Sequence, residues 1–283
     1  YRTLRALCAF GIFREGADGR FRNTAKSEAL RSSVPFSLRD WAITLGSTWW
    51  PLANHAVESV KTGQSAPQVV GRETLWNIYR ENPRDHEHFI AAMDGFTQWQ
   101  SGVVVAAFDF SRFEHVIDVG GGRGALMIQL LEAYPHLRGT IYDISETIAI
   151  AQENLENAGL QKRCAAVAGN FLEQVPSGGD LYLIKHVLHD WPDQQAVQIL
   201  TNCAQAMEPG STLLLAHALL APGSAHDRIT KLTDINYMVT LGGGMRTLEE
   251  FTQLLQRAGL RKVGIHPTRC GDIALLEARL AST

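Results

Sequence analysis

The rhythm of hydrophobic and polar positions changes near residue 114. Upstream, apolar residues recur at helical spacing: Leu4, Leu7 and Cys8 share one face of a helix that Gly11 ends. Residues 12–14 and 20–22 flank the turn signal Asp18-Gly19 and read as the two short strands of a hairpin. The following NTAKSEAL reads as a helix, so helix, hairpin and helix together resemble a winged helix. From 36 to 110 the chain reads as helices carrying Trp41, Trp49, Trp50, Trp76 and Trp99, broken at Pro51, Pro67 and Pro83. These aromatics either fill a core or line a pocket, and core packing is the plainer reading of any one of them.

Beyond 114, short apolar runs alternate with amphipathic stretches, the pattern of a parallel sheet covered by helices. Strands fit 115–120, 140–144, 164–169, 181–184 and 212–216. The clearest helical stripe is Ala196, Ile199, Leu200, Cys203 and Met207, ended by Pro209-Gly210. Thr247 with Glu250 is a capping-box pair, opening a helix that Gly259 closes. The last two strands, 262–268 and 272–280, have too few residues between them for a crossover helix and must pair antiparallel. The fold expected is α/β, a mostly parallel sheet with one reversed strand.

Composition narrows the partners. The 283 residues suffice for about two domains at roughly 100 to 200 residues each. A 45% hydrophobic, 19% charged chain folds throughout as a globular protein. The formal charge of -3 gives no broad basic field, although residues 1–40 carry eight Lys/Arg against four Asp/Glu, so nucleic acid is not the expected substrate. No stretch approaches the roughly 20 apolar residues of a membrane span. Cys8, Cys164, Cys203 and Cys270 lie far apart, without a CxxC, and are expected to be buried thiols in a reducing cytoplasm. The first residue is not Met and a helical pattern is already running, so a truncated N-terminus is expected.

Two segments carry chemistry. VIDVGGGRGAL (116–126) places a glycine-rich turn between a buried strand and a helix, where bare backbone approaches a ligand and helix N–H groups point outward. Gly120, Gly122 and Ala125 also satisfy the dinucleotide pattern, so the turn alone signifies a nucleotide-type cofactor without choosing which. Asp143, about 20 residues on, suits ribose hydroxyls or the cap of the next helix. Asn170 and Phe171 after the third strand offer an amide beside an aromatic, suited to adenine, or form a plain loop.

LYLIKHVLHDWPDQQ (181–195) concentrates ionisable groups at the end of the fourth strand, on the same rim as the glycine turn. Lys185 and His189 are four apart, and Pro192 fits the first turn of the next helix. A neutral imidazole, with its ordinary pKa of about 6.5, can accept a hydroxyl proton near neutral pH, which makes His189 the candidate base and Asp190 its neighbour in the catalytic segment. His186, His189 and Asp190 also have the chemistry of metal ligands, and a packed core histidine is the bland alternative. The expectation is that no metal is bound.

VIDVGGGRG, YDI, GNF, KHVLHDW and GGGMRTLEEF stand in the order and spacing of the small-molecule O-methyltransferases typified by plant caffeic acid O-methyltransferases and their bacterial relatives, which the chain resembles over nearly its whole length. The resemblance implies a Rossmann-like methyltransferase domain over 83–283, with a seven-stranded sheet whose last strand is antiparallel. It also implies a helical, winged-helix-like dimerisation domain over 1–82. S-adenosyl-L-methionine would be the cofactor, a small hydroxylated molecule the acceptor, and the assembly a homodimer. Gly120, Gly121 and Gly122 would line the cofactor, Asp143 hold its ribose, Asn170 and Phe171 meet its adenine, and Lys185 contact it. His189 falls on the catalytic base, and Met93 and Thr97 on the segment lining substrate and the methionyl part of the cofactor.

Three positions depart from the family pattern. Asn170 stands where Asp is usual, keeping an acceptor but losing charge. His217 and Met245 stand where the plant enzymes place two Glu around the base, so both are expected on the substrate side. The imidazole of His189 is expected to be less firmly held without a carboxylate partner, unless Asp190 or the substrate compensates. Those lost carboxylates also motivate a reading with the same fold and cofactor but a hydroxylation, decarboxylation or pericyclic step. A ligand-sensing winged-helix regulator and a nicotinamide oxidoreductase are further alternatives, against which KHVLHDW weighs.

Overall fold

In the computed structural model, the described residues are 1–34, 36–221, 223, 227–269 and 273–281. The chain begins with α1 (Arg2–Ala9), β1 (Phe13–Glu15), β2 (Phe21–Asn23) and α2 (Ala25–Glu28). β1 and β2 pair antiparallel, with Arg14 opposite Arg22, and Arg22 reaches back to both carboxylate oxygens of Asp18 in the turn. Helix, hairpin and helix follow one another as the sequence pattern predicts.

α3 (Arg39–Thr44) continues through a π-helical turn, Leu45–Trp49, directly into α4 (Trp50–Ala53). Pro51 therefore does not break the run. A prolyl nitrogen has no hydrogen for the helical ladder, and the wider turn just ahead of it absorbs the mismatch. α5 (Ala56–Thr62), α6 (Ala66–Val69), α7 (Leu75–Glu81) and the 25-residue α8 (Pro83–Ala107) follow, with Pro67 and Pro83 in the opening turns of α6 and α8. Trp49 is buried and its Nε1 donates to Tyr79 Oη at 3.1 Å, while Trp41 packs edge-on against both Trp49 and Phe96. Trp50 and Trp99 are exposed, so the core reading fails for those two.

The second half builds the sheet: β3 (His115–Val119), α9 (Ala125–Ala133), β4 (Arg138–Asp143), α10 (Ser145–Asn157), β5 (Cys164–Ala168), β6 (Leu181–Lys185), α11 (Asp193–Ala206), β7 (Thr212–Ala218), α12 (Arg228–Thr240), α13 (Leu248–Arg257), β8 (Leu260–Pro267) and β9 (Ile273–Leu280). The strand order is β5-β4-β3-β6-β7-β9-β8. β3 to β7 run parallel, and β9 is antiparallel to both neighbours. The reversed strand thus lies second from the edge, threaded between β7 and β8.

Both faces of the sheet are apolar, as a parallel sheet under two helix layers requires. Leu181, Leu183 and Leu214 meet Leu126, Leu130, Ile148 and Leu155 on one face, whereas Tyr182, Ile184 and Leu215 meet Ile199, Leu200, Phe251 and Leu254 on the other. A third cluster, of Leu52, Ala66, Leu75, Tyr79 and Val239, ties α12 to the N-terminal helices. Strand order reverses between β3 and β6, so the segments leaving those two strands diverge around one crevice.

Cys164 and Cys203 are buried as expected, Cys8 is only half-buried, and Cys270 lies outside the described residues. No helix among the described residues is long and apolar enough to cross a membrane. Leu200 lies wholly inside the sheet–α11 core. Leu200→Ala is expected to cost about 2–5 kcal/mol in denaturant unfolding; a loss under about 1 kcal/mol would contradict that packing.

Candidate active site

The turn after β3 is shaped by what its glycines lack. A Cβ on Gly120 would collide with the Val187 side chain, and one on Gly121 would lie 2.8 Å from the Asp118 carboxyl. Gly122 differs: its φ is +57° and no atom stands within 4 Å of its missing Cβ, so it faces open space in a left-handed conformation that side chains resist. The Gly122 amide donates to Asp143 Oδ2 at 2.8 Å, and the Ile144 amide to Oδ1 at 2.7 Å. Asp143 is therefore pinned by two backbone donors beside the turn, while α10 starts without a side-chain cap. Burial raises its pKa, and the two amides oppose that shift.

Two more ionisable groups lie beneath. Asp118 is fully buried on β3, its Oδ2 has no hydrogen-bond partner among the described residues, and burial pushes the carboxyl up to about 7 against the opposing charge of Lys185. Lys185, at the end of β6, is pushed down to about 8 by burial and donates to Thr97 Oγ1 at 3.3 Å. Thr97 lies on α8 one turn beyond half-buried Met93. An ion pair of 2.6 Å between Arg123 and Asp94 fixes α8 to the glycine turn.

Asn170 and Phe171 follow β5. The Asn170 side chain is engaged inside its own loop, accepting from the Leu172 amide at 3.0 Å and donating to Glu173 at 2.9 Å. That is how a loop-forming Asn behaves. Phe171 is half-buried with its ring edge-on to Trp191 at 5.9 Å.

His189 sits in a 3₁₀ turn, Leu188–Asp190, and is 8% exposed. Its ring stacks on Tyr237 of α12 at 4.7 Å and 29°. Its Nε2 stands 3.2 Å from Asp190 Oδ1, and its Nδ1 is buried without a hydrogen-bond partner among the described residues. The backbone of this turn is clamped from the segment between α12 and α13. The Gly244 amide donates to the His189 carbonyl at 2.9 Å, and a Cβ on Gly243 would overlap that same carbonyl. Arg246, 5% exposed, donates to the Leu188 carbonyl at 2.7 Å, the Trp191 carbonyl at 2.8 Å and Asp193 Oδ1 at 2.8 Å. The backbone of the turn is thus fixed, and Asp190 stands beside the ring, where the sequence reading allowed it to compensate for the two absent Glu.

His217, on β7, is 1% exposed and meets His189 edge-to-face at 5.6 Å. Burial, with the His189, Arg246 and Lys185 charges assisting, holds its pKa well below the ordinary histidine value. His186, between Lys185 and the 3₁₀ turn, is held low in the same way, chiefly by burial and then by Lys185. Half-buried Met245 is anchored through its backbone, its amide donating to Asp234 Oδ1 at 2.8 Å.

Sequence reasoning missed Asp118, Tyr237, Gly243 and Arg246. Asp118 had a signal, an acid inside an otherwise apolar strand. Arg246 had only its place behind three glycines.

With this geometry in place, residues 49–261 match the family described as the O-methyltransferase domain. The chain belongs to the O-methyltransferase family. It is 36% identical over 282 residues to the mitomycin biosynthesis 6-O-methyltransferase of Streptomyces lavendulae, covering 99% of this chain and 80% of that one. The solved mitomycin 7-O-methyltransferase MmcR superposes with a TM-score of 0.91 at 37% identity, over 99% of this chain and 83% of that one. The O-methyltransferase NcsB1 from neocarzinostatin biosynthesis, solved with S-adenosylmethionine and 2-hydroxy-5-methyl naphthoic acid, reaches a TM-score of 0.86 at 29% identity over 99% and 84% of the two chains.

The chain is accordingly an S-adenosylmethionine-dependent O-methyltransferase with a Rossmann-like sheet, and its residues fit that cofactor. Gly122 leaves bare backbone beside a pinned carboxylate, and Asp118 supplies a buried carboxyl with an unpartnered oxygen.

Arg246→Ala would orphan the Trp191 carbonyl, at about 1–3 kcal/mol, leave the Leu188 carbonyl only the Trp191 amide at 3.4 Å, and release the His189 turn. Steady-state kinetics should show kcat down by about 10²-fold with cofactor affinity nearly unchanged; a parallel loss of cofactor affinity would deny the selective effect. Asp118 gives a pH signature. Between the ordinary carboxylate range near 4 and about 7, the folded state retains a proton that the unfolded chain releases. That contribution to stability grows as pH falls from 7 and is lost as pH rises through 7. Unfolding of wild type and Asp118→Asn should therefore differ with this slope, and a pH-independent difference would refute it.

Proposed function

We propose that this enzyme methylates a hydroxyl of a small aromatic or polyketide-like metabolite, with His189 as general base. One observation carries the reading: the glycine turn packs directly on Val187, two residues ahead of His189, so cofactor cradle and base share one rim. Mitomycin and naphthoate relatives support the acceptor class.

Bound S-adenosylmethionine supplies an electrophilic methyl group on a sulfonium. Gly120, Gly121, Gly122 and Asp143 hold the ribose side, Lys185 and Thr97 the methionyl side, and Phe171 with the loop that Asn170 shapes the adenine. The acceptor's apolar body lies against Met93, Met245 and the His217 wall. Because His189 Nδ1 is sealed in the interior, proton transfer goes through Nε2. Nε2 takes the hydroxyl proton as the oxygen attacks, and Asp190 Oδ1 at 3.2 Å pairs with the imidazolium. Holding the oxygen in line supplies much of the remaining acceleration.

The division into a helical dimerisation unit over 1–82 and a catalytic unit over 83–283 belongs to the same proposal. Exposed Trp50, Val57 and Val60 in the N-terminal helices, and Ile229, Leu232 and Ile235 on α12, support pairing with a second copy. A cytoplasmic homodimer is the assembly proposed.

Methyl-labelled S-adenosylmethionine incubated with a panel of phenols and naphthols should place label on an acceptor oxygen. His189→Ala should lose about 10²-fold or more of turnover while calorimetry finds the cofactor bound as before. Label that never moves while cofactor binds would defeat the transferase reading, and undiminished turnover in the variant would remove the base.

A further inference from the structure

Three imidazoles converge below the rim: His186 just after β6, His189 in the 3₁₀ turn and His217 on β7. One ring nitrogen of each lies within 4.8 Å of one on both others. Ring centroids are 5.4 to 5.6 Å apart at interplanar angles of 45°, 68° and 89°, so the rings point inward rather than stack. Among the described residues, His186 Nε2, His189 Nδ1 and His217 Nε2 are all buried without a hydrogen-bond partner. An orphaned buried polar atom is destabilising, and three in one cluster ask for a shared occupant. His186 also holds a left-handed backbone, φ +54°, which a residue with a Cβ adopts only under constraint from its surroundings.

The chemistry of the cluster selects a metal cation over a proton. Burial keeps His186 and His217 neutral, and a protonated ring there would lie near Lys185 and Arg246. Neutral imidazole lone pairs are what a divalent transition ion takes. Tetrahedral coordination at 2.0–2.1 Å sets nitrogens about 3.4 Å apart, within reach of small side-chain rotations from the distances here. Asp190, which sequence reasoning grouped with His186 and His189, faces Nε2 instead, and His217 takes its place.

We infer that His186, His189 and His217 form a buried site for a zinc-class divalent ion, and that filling it withdraws His189 from proton transfer. The second half rests on the general-base reading. A neutral imidazole has one N–H and one lone pair. An ion on Nδ1 leaves the proton on Nε2, which can then donate to an acceptor hydroxyl but not take its proton. Lys185 and Arg246 oppose the ion's charge and Asp190 offsets part of it, so the metal is exchangeable.

Cobalt(II) titration of the chelator-treated, full-length enzyme tests the site. One equivalent should produce the visible absorption of low-coordinate cobalt. His186→Asn, which tolerates the left-handed backbone, and His217→Gln should each lose it while keeping a cooperative thermal transition and cofactor binding. One equivalent of zinc should lower wild-type turnover by about 10²-fold, reversibly with chelator and with cofactor affinity intact, and should spare His186→Asn relative to that variant's own metal-free rate. No absorption, or equal absorption in both variants, overturns the site. Full turnover of the zinc-loaded enzyme overturns the withdrawal of His189. Should His189→Ala retain turnover, the base reading fails by itself, since the cobalt spectrum reports the site independently of catalysis.

Discussion

A single guanidinium holds the His189 turn in register. Arg246 is almost wholly buried, a costly place for a permanent charge, yet its donors are spent on one carboxylate and on main-chain carbonyls, the shortest bonds going to those of Leu188 and Trp191. The carbonyls of Leu188 and Trp191 bracket His189 and Asp190. The backbone between them has little freedom, and the Gly244 amide takes the His189 carbonyl as well. Gly243 must be glycine because the strap lies directly on that carbonyl. Every property assigned to His189 presupposes this clamp between the end of β6 and the segment joining α12 to α13.

The clamp, in the proposed mechanism, stands in for a carboxylate behind the base. In a catalytic triad, the acid beyond the histidine fixes the ring and favours the imidazolium. Here the two tasks are separated. Stacking on Tyr237 and the fixed backbone orient the ring, and Asp190 offers its charge at the outer nitrogen. The acids that remain are concentrated under the glycine turn instead, where Asp118 and Asp143 lie with Lys185 at the point where strand order reverses. The chain thus keeps two acids at the glycine turn and sets imidazoles, not a carboxylate, on the interior side of His189.

The sheet was legible because its strands are buried on both faces and read as unbroken apolar runs such as Leu181–Ile184 and Leu213–Leu215. The reversed strand was legible from a connection too short for a helix. Its place between β7 and β8 was not, since loop length dictates antiparallel pairing but not which further neighbour is chosen. Pro51 misled because a proline rule counts lost hydrogen bonds, whereas a π-helical turn redistributes them. At the site, the glycine turn, Asp143 and His189 were singled out from the residues themselves and Lys185 through the family resemblance; Gly122 hydrogen-bonds to Asp143, and the turn packs on Val187 two residues ahead of His189. Arg246 was not singled out, because its value lies in carbonyls 55 and 58 residues earlier in the chain. Asn170 shows the opposite limit: a motif position whose side chain is engaged by its own loop.

The exchange of Glu for His at 217 and Met at 245 does more than subtract charge. A carboxylate behind His189 Nδ1 would accept that proton's hydrogen bond and leave Nε2 permanently free to act as a base. An imidazole there is ambivalent, because it can offer a lone pair as readily as a proton, and His186 repeats the offer from a strained backbone. Nothing on the interior side then dictates the tautomer of His189. It depends on what occupies the cluster, so the base can be set or silenced from the interior face of its ring.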